Sequence, residues 1–144
     1  LFKLKTNKME TKFRGQRVDK QGFIYGMPTY DFKYIFNKDS LNSPDDYEVI
    51  PETVGQFINI HDKNKVDIYS DDLLSDGEKT FRIYSVAGGF AIKAYPWCDN
   101  KKDLDLTDEF ILMPCAQTRS WIENSCEVIG NIHTNPELLT VKTN

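Results

Sequence analysis

Residues 49–74, VIPETVGQFINIHDKNKVDIYSDDLL, constrain the fold most: short strand-like runs are cut by polar turns, and a second hairpin signal follows at once. Pro51 has no N–H to give to a ladder, so the run from Tyr47 ends there or lies on an edge. Thr53–Ile60 has strand composition, His61–Lys65 is a polar turn, and Val66–Tyr69 resumes the strand pattern. After the Ser75–Glu78 turn, Phe81, Ile83 and Ser85 alternate against Arg82, Tyr84 and Val86, and Ala87-Gly88-Gly89 turns the chain back into Phe90–Trp97. Period-two alternation on both sides of a Gly-marked reversal is the signature of a β-hairpin.

The flanking segments follow the same logic. Lys12–Val18 and Gly22–Met27 are two short runs joined by Asp19-Lys20-Gln21-Gly22, which reads as a hairpin loop, and Phe32–Phe36 continues as a third strand. Residues 37–47, NKDSLNSPDDY, hold the Asn, Asp, Ser and Pro of a loop and mark a boundary. Residues 98–109 are charged, without a period, and read as a surface excursion with at most one helical turn; Phe110–Met113 is apolar and stops at Pro114. Cys126–Ile132 is again strand-like, and Asn135–Leu139 reads as a short helical turn with Pro at its start. The expected class is all-β with few short helical turns: an extension over 1–11, an N-terminal β element over 12–46, a small barrel or paired sheets over 47–139, and a tail over 140–144.

A chain of 144 residues with 40% hydrophobic side chains suffices for one modest core. No apolar run approaches the roughly 20 residues that cross a bilayer, and Cys98, Cys115 and Cys126 are an odd count without framework spacing, so a soluble, cytoplasmic protein with reduced thiols and no membrane contact is expected. The net charge of −4 hides an asymmetry: residues 1–38 carry nine Lys/Arg against three acidic side chains, a balance of +6, and the remainder is at −10. Such segregation reflects a surface match within or between chains, or a basic arm for a polyanion.

No catalytic or cofactor motif is present. Zinc would need about four ligands, two of them close in sequence, whereas Cys98, Cys115, Cys126 and His133 are widely spaced; small buried side chains and one surface His are the better account. A Cys paired with His61 or His133 for nucleophilic catalysis has no support from spacing. The acidic group Asp99, Asp103, Asp105, Asp108 and Glu109 lacks the Gly of a calcium loop, since the sixth position from Asp103 is Asp108, and reads as solvated. Gly88-Gly89 has no following Lys-Ser/Thr and is a turn, not a phosphate cradle; Trp97 and Trp121 read as core packing before partner pockets.

The basic N-terminal strands carry the sharpest functional hypothesis. Lys12, Arg14, Arg17 and Lys20 would contact phosphates, with Phe13, Phe23 and Tyr25 stacking on bases. Arg14 and Arg17, three apart, face opposite sides of a regular strand, and an ion-paired edge facing the acidic remainder is preferred.

In order along the chain, KFRGQRVD with a following Tyr-Gly run, VIPETVGQF, a Lys-Asn turn, an Ile-Tyr strand, the Phe-rich hairpin, CEVIGNI and NPELL together resemble the YopX family of phage and prophage proteins over most of residues 12–139. The resemblance implies an SH3-like β-barrel for the later part, preceded by the N-terminal hairpin element, a mobile-element origin, and no established activity or catalytic residue. In that family the segment after the turn commonly reads Ile-Tyr-Glu-Gly-Asp; here it is Ile68-Tyr69-Ser70-Asp71-Asp72, and the Gly is gone. The expectation is a non-enzymatic interaction module without metal or cofactor, contacting an unknown host or phage protein and self-associating through its oppositely charged parts. Nucleic-acid binding through the basic strands is the alternative, and acidic mimicry of DNA by residues 99–109 a third reading.

Overall fold

The computed structural model describes residues 9–19, 22–37, 47–86, 89–95, 111–113, 116–135 and 137–138. Among these residues ten strands form two antiparallel five-stranded sheets. β1 (Phe13–Gln16), β2 (Phe23–Pro28), β3 (Ile35–Phe36), β4 (Gly55–His61) and β5 (Asp67–Tyr69) make the first, in the order β3-β2-β1-β4-β5. β6 (Asp72–Ser75), β7 (Thr80–Val86), β8 (Gly89–Ala94), β9 (Ile111–Met113) and β10 (Glu127–Asn131) make the second, in the order β10-β6-β7-β8-β9. The chain is thus mostly β, as its alternation demands.

The two hairpins read from turn chemistry, and the further turn at Ser75–Glu78, are present in register. Phe13 lies opposite Gly26 and Gln16 opposite Phe23, closed by Arg17 N–H donating to Gly22 O, with Gly22 at φ 101. Ser75 pairs with Thr80 across a turn containing Gly77 at φ 95, where an L side chain would be strained. Val86 pairs with Gly89.

Two features lay outside the sequence reading. β1 pairs with β4 (Phe13 with Gln56, Arg14 with Gly55), so strands on either side of residue 46 share a sheet. Glu48 and Val49 also bridge Tyr34 and Arg17, joining the start of the β3 run to the end of β1. The other feature is α1 (Ala116–Ser125), the one α-helix among the described residues. It buries Thr118 and Ile122, with Trp121 beside them and an Arg119–Glu123 pair one turn apart at 2.9 Å.

The principal core lies between the sheets. Ile58, Ile60 and Ile68 of the first meet Leu74, Ile83 and Ile92 of the second, with Ile122 of α1 and Cys126, each at most 7% exposed. Trp121 closes its rim edge-on against Phe81, ring centroids 4.9 Å apart. A smaller core of Ile24, Ile35, Tyr47 and Val49 fills the curl of the N-terminal strands, and Leu73, Tyr84 and Ala91 form a third on the far side of the second sheet.

The chain passes between sheets at Tyr69–Asp72, leaving β5 and entering β6. Asp71 turns this corner at φ 70, the left-handed conformation that the family's Gly would adopt freely. Its N–H donates to Ile83 O at 2.8 Å and its carbonyl accepts Ile132 N–H at 3.1 Å, which ties the corner to β7 and to the turn after β10. Its carboxylate accepts from Arg82 Nη2 at 3.3 Å and meets His133 Nε2 at 3.2 Å. A buried carboxylate, Asp62, joins the sheets at the other end. Oδ1 accepts the N–H groups of Asn64 and Val66, and Oδ2 that of Val128 in β10, all within 2.9 Å.

Candidate interaction surface

The outward face of the first sheet carries two of the residues singled out as basic, Lys12 and Arg14, and five exposed apolar side chains. β1 presents Lys12 and Arg14 on one side because they are two residues apart, and the register places Tyr25 beside Arg14. Arg14 is 7% exposed. Its guanidinium carbon sits 4.7 Å from the Phe23 ring centroid and 4.9 Å from that of Tyr69, between two aromatic walls. Nη2 donates to Asp72 Oδ1 at 2.6 Å, while the buried Nε has no hydrogen-bond partner. Asp72 Oδ2 also accepts the Tyr69 N–H at 2.8 Å. Burial pushes the Asp72 carboxyl up from its usual range, with Arg14 and the Tyr69 amide opposing.

Lys12 Nζ lies 2.5 Å from Asp67 Oδ2, 3.3 Å from Glu10 Oε2 and 4.4 Å from the Phe57 ring centroid. The bond to Asp67 raises its pKa above the usual lysine value. His61 Nε2 takes the other Asp67 oxygen at 2.8 Å. Burial lifts the Tyr69 phenol to about 12. Between these groups lies an open cleft of about 610 Å³, lined by Lys12, Arg14, Tyr25, Asp67, Tyr69 and Asp72 together with Lys65, Val66 and Val128. Tyr25 and Tyr69 give it aromatic walls, and its two carboxylates hold Lys12, just before β1, and Arg14 within it.

Of the four residues proposed for phosphate contact, the fold brings Lys12 and Arg14 together at this cleft. Arg17 stands apart, paired with Asp19 at 2.6 Å, and Lys20 lies outside the described residues. Phe23 and Tyr25 flank Arg14 on its own face, whereas Phe13 points away.

The more exposed part of the face is the β2–β3 hairpin. Tyr25 is 49% exposed, Met27 50%, Tyr30 103%, Phe32 45% and Phe36 42%; these are five of the nine large hydrophobic residues exposed among the described ones. Met27 lies opposite Phe36 in register, and Phe36 contacts Tyr34 and Tyr47, ring centroids 6.4 Å and 6.0 Å away. At the tip, Phe32 adopts φ 57, uncommon for a bulky side chain. The turn is held by Phe32 N–H donating to Thr29 O, Thr29 N–H donating to Tyr34 O, and Asp31 Oδ1 accepting from Thr29 Oγ1 and Lys33 N–H. Those two bonds hold the Asp31 carboxyl below the usual range, so it is charged at neutral pH. Of this hairpin surface the sequence singled out Tyr25 alone, as a stacking residue beside the basic strand, because Met27 and Phe36 read there as ordinary strand residues; the one further signal was the density of aromatics in YGMPTYDFKYIF.

The other candidates resolve as follows. Cys126 is buried in the core, where desolvation lifts its thiol to about 12, so it holds its proton at neutral pH. No group of three or more His, Cys, Asp or Glu among the described residues is placed to hold a metal ion. Trp121 packs at the core rim. Cys98, Cys115, Trp97 and the acidic segment 99–109 lie outside the described residues. No helix among the described residues is long and apolar enough to cross a membrane.

Comparison with known proteins places this surface in context. A search of curated proteins returns no match. Among solved structures, protein EF1440 from Enterococcus faecalis superposes with a TM-score of 0.53 at 22% identity, covering 92% of this chain and 99% of that one, a likeness that shows the fold alone. The sequence model of the YopX protein matches residues 12–140. That match spans most of the chain and includes both sheets and the hairpin surface: the chain belongs to the YopX family.

Proposed function

We propose that this chain is a non-enzymatic protein-interaction module of a phage or prophage, acting on a host or phage protein through the outward face of its β2–β3 hairpin. The observation that carries this reading is the concentration of exposed apolar side chains at Tyr25, Met27, Tyr30, Phe32 and Phe36. Contiguous exposed apolar surface on a small protein marks a contact site for another macromolecule. The SH3-like barrel expected for residues 47–139 belongs to the same reading. Short antiparallel strands, the irregular registers of β4 against β5 and of β10 against β6, and the bridges of Glu48 and Val49 supply the curl such a barrel needs.

Nucleic-acid binding is the second reading, favoured by the juxtaposition of Lys12 and Arg14 with Tyr25 and Phe23. Against it, Lys12, Arg14 and Arg17 each already hold a carboxylate, and a phosphate would have to displace it. The two readings separate in one experiment. The protein and its Tyr30→Ser/Phe32→Gly variant are used for capture from bacterial lysate and for anisotropy titration with labelled single- and double-stranded oligonucleotides at low salt. The interaction-module reading expects a protein captured by the parent and lost from the variant, with no oligonucleotide binding. Oligonucleotide affinity abolished by Lys12→Glu and retained by the hairpin variant would reverse the assignment.

A further inference from the structure

We infer that the β2–β3 hairpin is a two-fold self-association surface, its occupant being the same hairpin of a second copy of this chain. The inference rests on the proposed interaction role and names the partner. A two-fold contact sets a patch against itself, so apolar area must be combined with charges that are complementary when inverted. Residues 25–36 meet that requirement. Besides the five exposed apolar side chains, the segment contains one acid and one base, Asp31 and Lys33, two positions apart at the tip. Neither forms an ion pair within the chain among the described residues, whereas Lys12, Arg14 and Arg17, the other described cations of the N-terminal strands, all do. Asp31 is exposed, and its carboxylate is held ionised. An axis passing near the tip sets each Asp31 toward the other copy's Lys33 and packs Tyr30 and Phe32 across it. The rest of each copy carries the chain's whole net charge of −4 and repels its like, so the neutral hairpin is where approach costs least. The left-handed conformation of Phe32 fits this role, since the turn carries a bulky ring outward at a position where Gly would be unstrained.

The test is sedimentation velocity of the full chain over a wide concentration range, beside Phe32→Gly, Tyr30→Ser and Lys33→Glu. Phe32→Gly removes the ring and suits the positive φ, so the hairpin is retained; far-UV circular dichroism and the thermal midpoint verify this for every variant. The parent should move toward twice its 16.7 kDa mass as concentration rises. Phe32→Gly and Tyr30→Ser should each weaken association by roughly tenfold or more, the scale of one lost buried aromatic contact. Lys33→Glu, which sets like charges across the axis, should weaken it further at low salt than at high salt. A parent that stays monomeric, or dimers that persist unchanged in all three folded variants, would overturn the inference. If the monomeric parent still captures a different protein through the hairpin, the proposed interaction role survives and only self-association fails; if capture is also indifferent to the hairpin, both fail.

Discussion

Replacing Asp72 by Asn tests how the two halves of the outward face are locked together. Asp72 is 1% exposed, accepts the Arg14 guanidinium at 2.6 Å and the Tyr69 amide at 2.8 Å, and lies 58 residues from Arg14 in the chain. Asn keeps an acceptor for the amide but strips the charge from a guanidinium that is 7% exposed and already has an unpartnered Nε. Breaking a buried pair by removing one partner costs about 3–5 kcal/mol, against a total stability of roughly 5–15 kcal/mol for a domain. Urea unfolding at neutral pH should therefore show Asp72→Asn less stable by about 3 kcal/mol, with the denaturant slope unchanged. The reciprocal Arg14→Met leaves a carboxyl that can escape its isolation by taking up a proton. Because burial holds the folded pKa of Asp72 above its unfolded value, the folded state binds the extra proton, and the stability this group contributes is fully present below the unfolded pKa and lost as pH rises through the folded one. Removing Arg14 lifts the folded value further, so the deficit of Arg14→Met should shrink on acidification from neutral pH, while that of Asp72→Asn, which lacks the titrating group, should grow as pH falls through the folded pKa of Asp72. The double variant should lose less than the two singles together, by at least about 1.5 kcal/mol. A loss under about 1 kcal/mol for Asp72→Asn, or a deficit for Arg14→Met that does not change with pH, would refute the reasoning.

Two further outcomes follow from Asp62 and Asp71, the carboxylates at the two ends where the sheets join. Asp62→Ala strands the amides of Asn64, Val66 and Val128, and at about 1 kcal/mol for each should cost about 3 kcal/mol; hydrogen exchange should quicken at Val66 and Val128 before the principal core opens. Asp71→Gly restores the residue that the family commonly has at the sheet-to-sheet corner and relieves about 1 kcal/mol of left-handed strain. It also leaves the 6%-exposed Arg82 without its carboxylate at about 3 kcal/mol, so the variant should be less stable by about 2 kcal/mol in a thermal melt, and a stabilised variant would show the pairing to be dispensable.

Much of the local architecture was legible from residue order because it depends on near neighbours. The hairpins over 13–28 and 80–94 follow from alternation and Gly-marked turns; the missing Gly at Asp71 left the backbone there open, and the corner keeps a positive φ with an L residue. Helix α1 went unread because its turn-facing residues are polar and only Thr118, Trp121 and Ile122, with Cys126 one turn beyond, mark a buried stripe. Its spacing of three and four, with Arg119 and Glu123 a turn apart, was the available signal. The pairing of β1 with β4 was not legible at all: two edges separated by about forty residues meet through a register that no local pattern encodes. Charge segregation was visible as a count, but its partners, Lys12 with Asp67 and Arg14 with Asp72, emerge only once the sheet has closed.

β5 ends the first sheet, and the amide of Tyr69 is directed to the Asp72 carboxylate while that of Val66, just before the strand, is directed to Asp62. A foreign peptide arriving along this border finds those donors already committed, which removes part of the template by which β-rich proteins recruit one another into insoluble aggregates. The same carboxylates that lock the interior thus also help the molecule remain dispersed at the concentrations reached during expression, and variants at Asp62 or Asp72 should be watched for precipitation as closely as for unfolding.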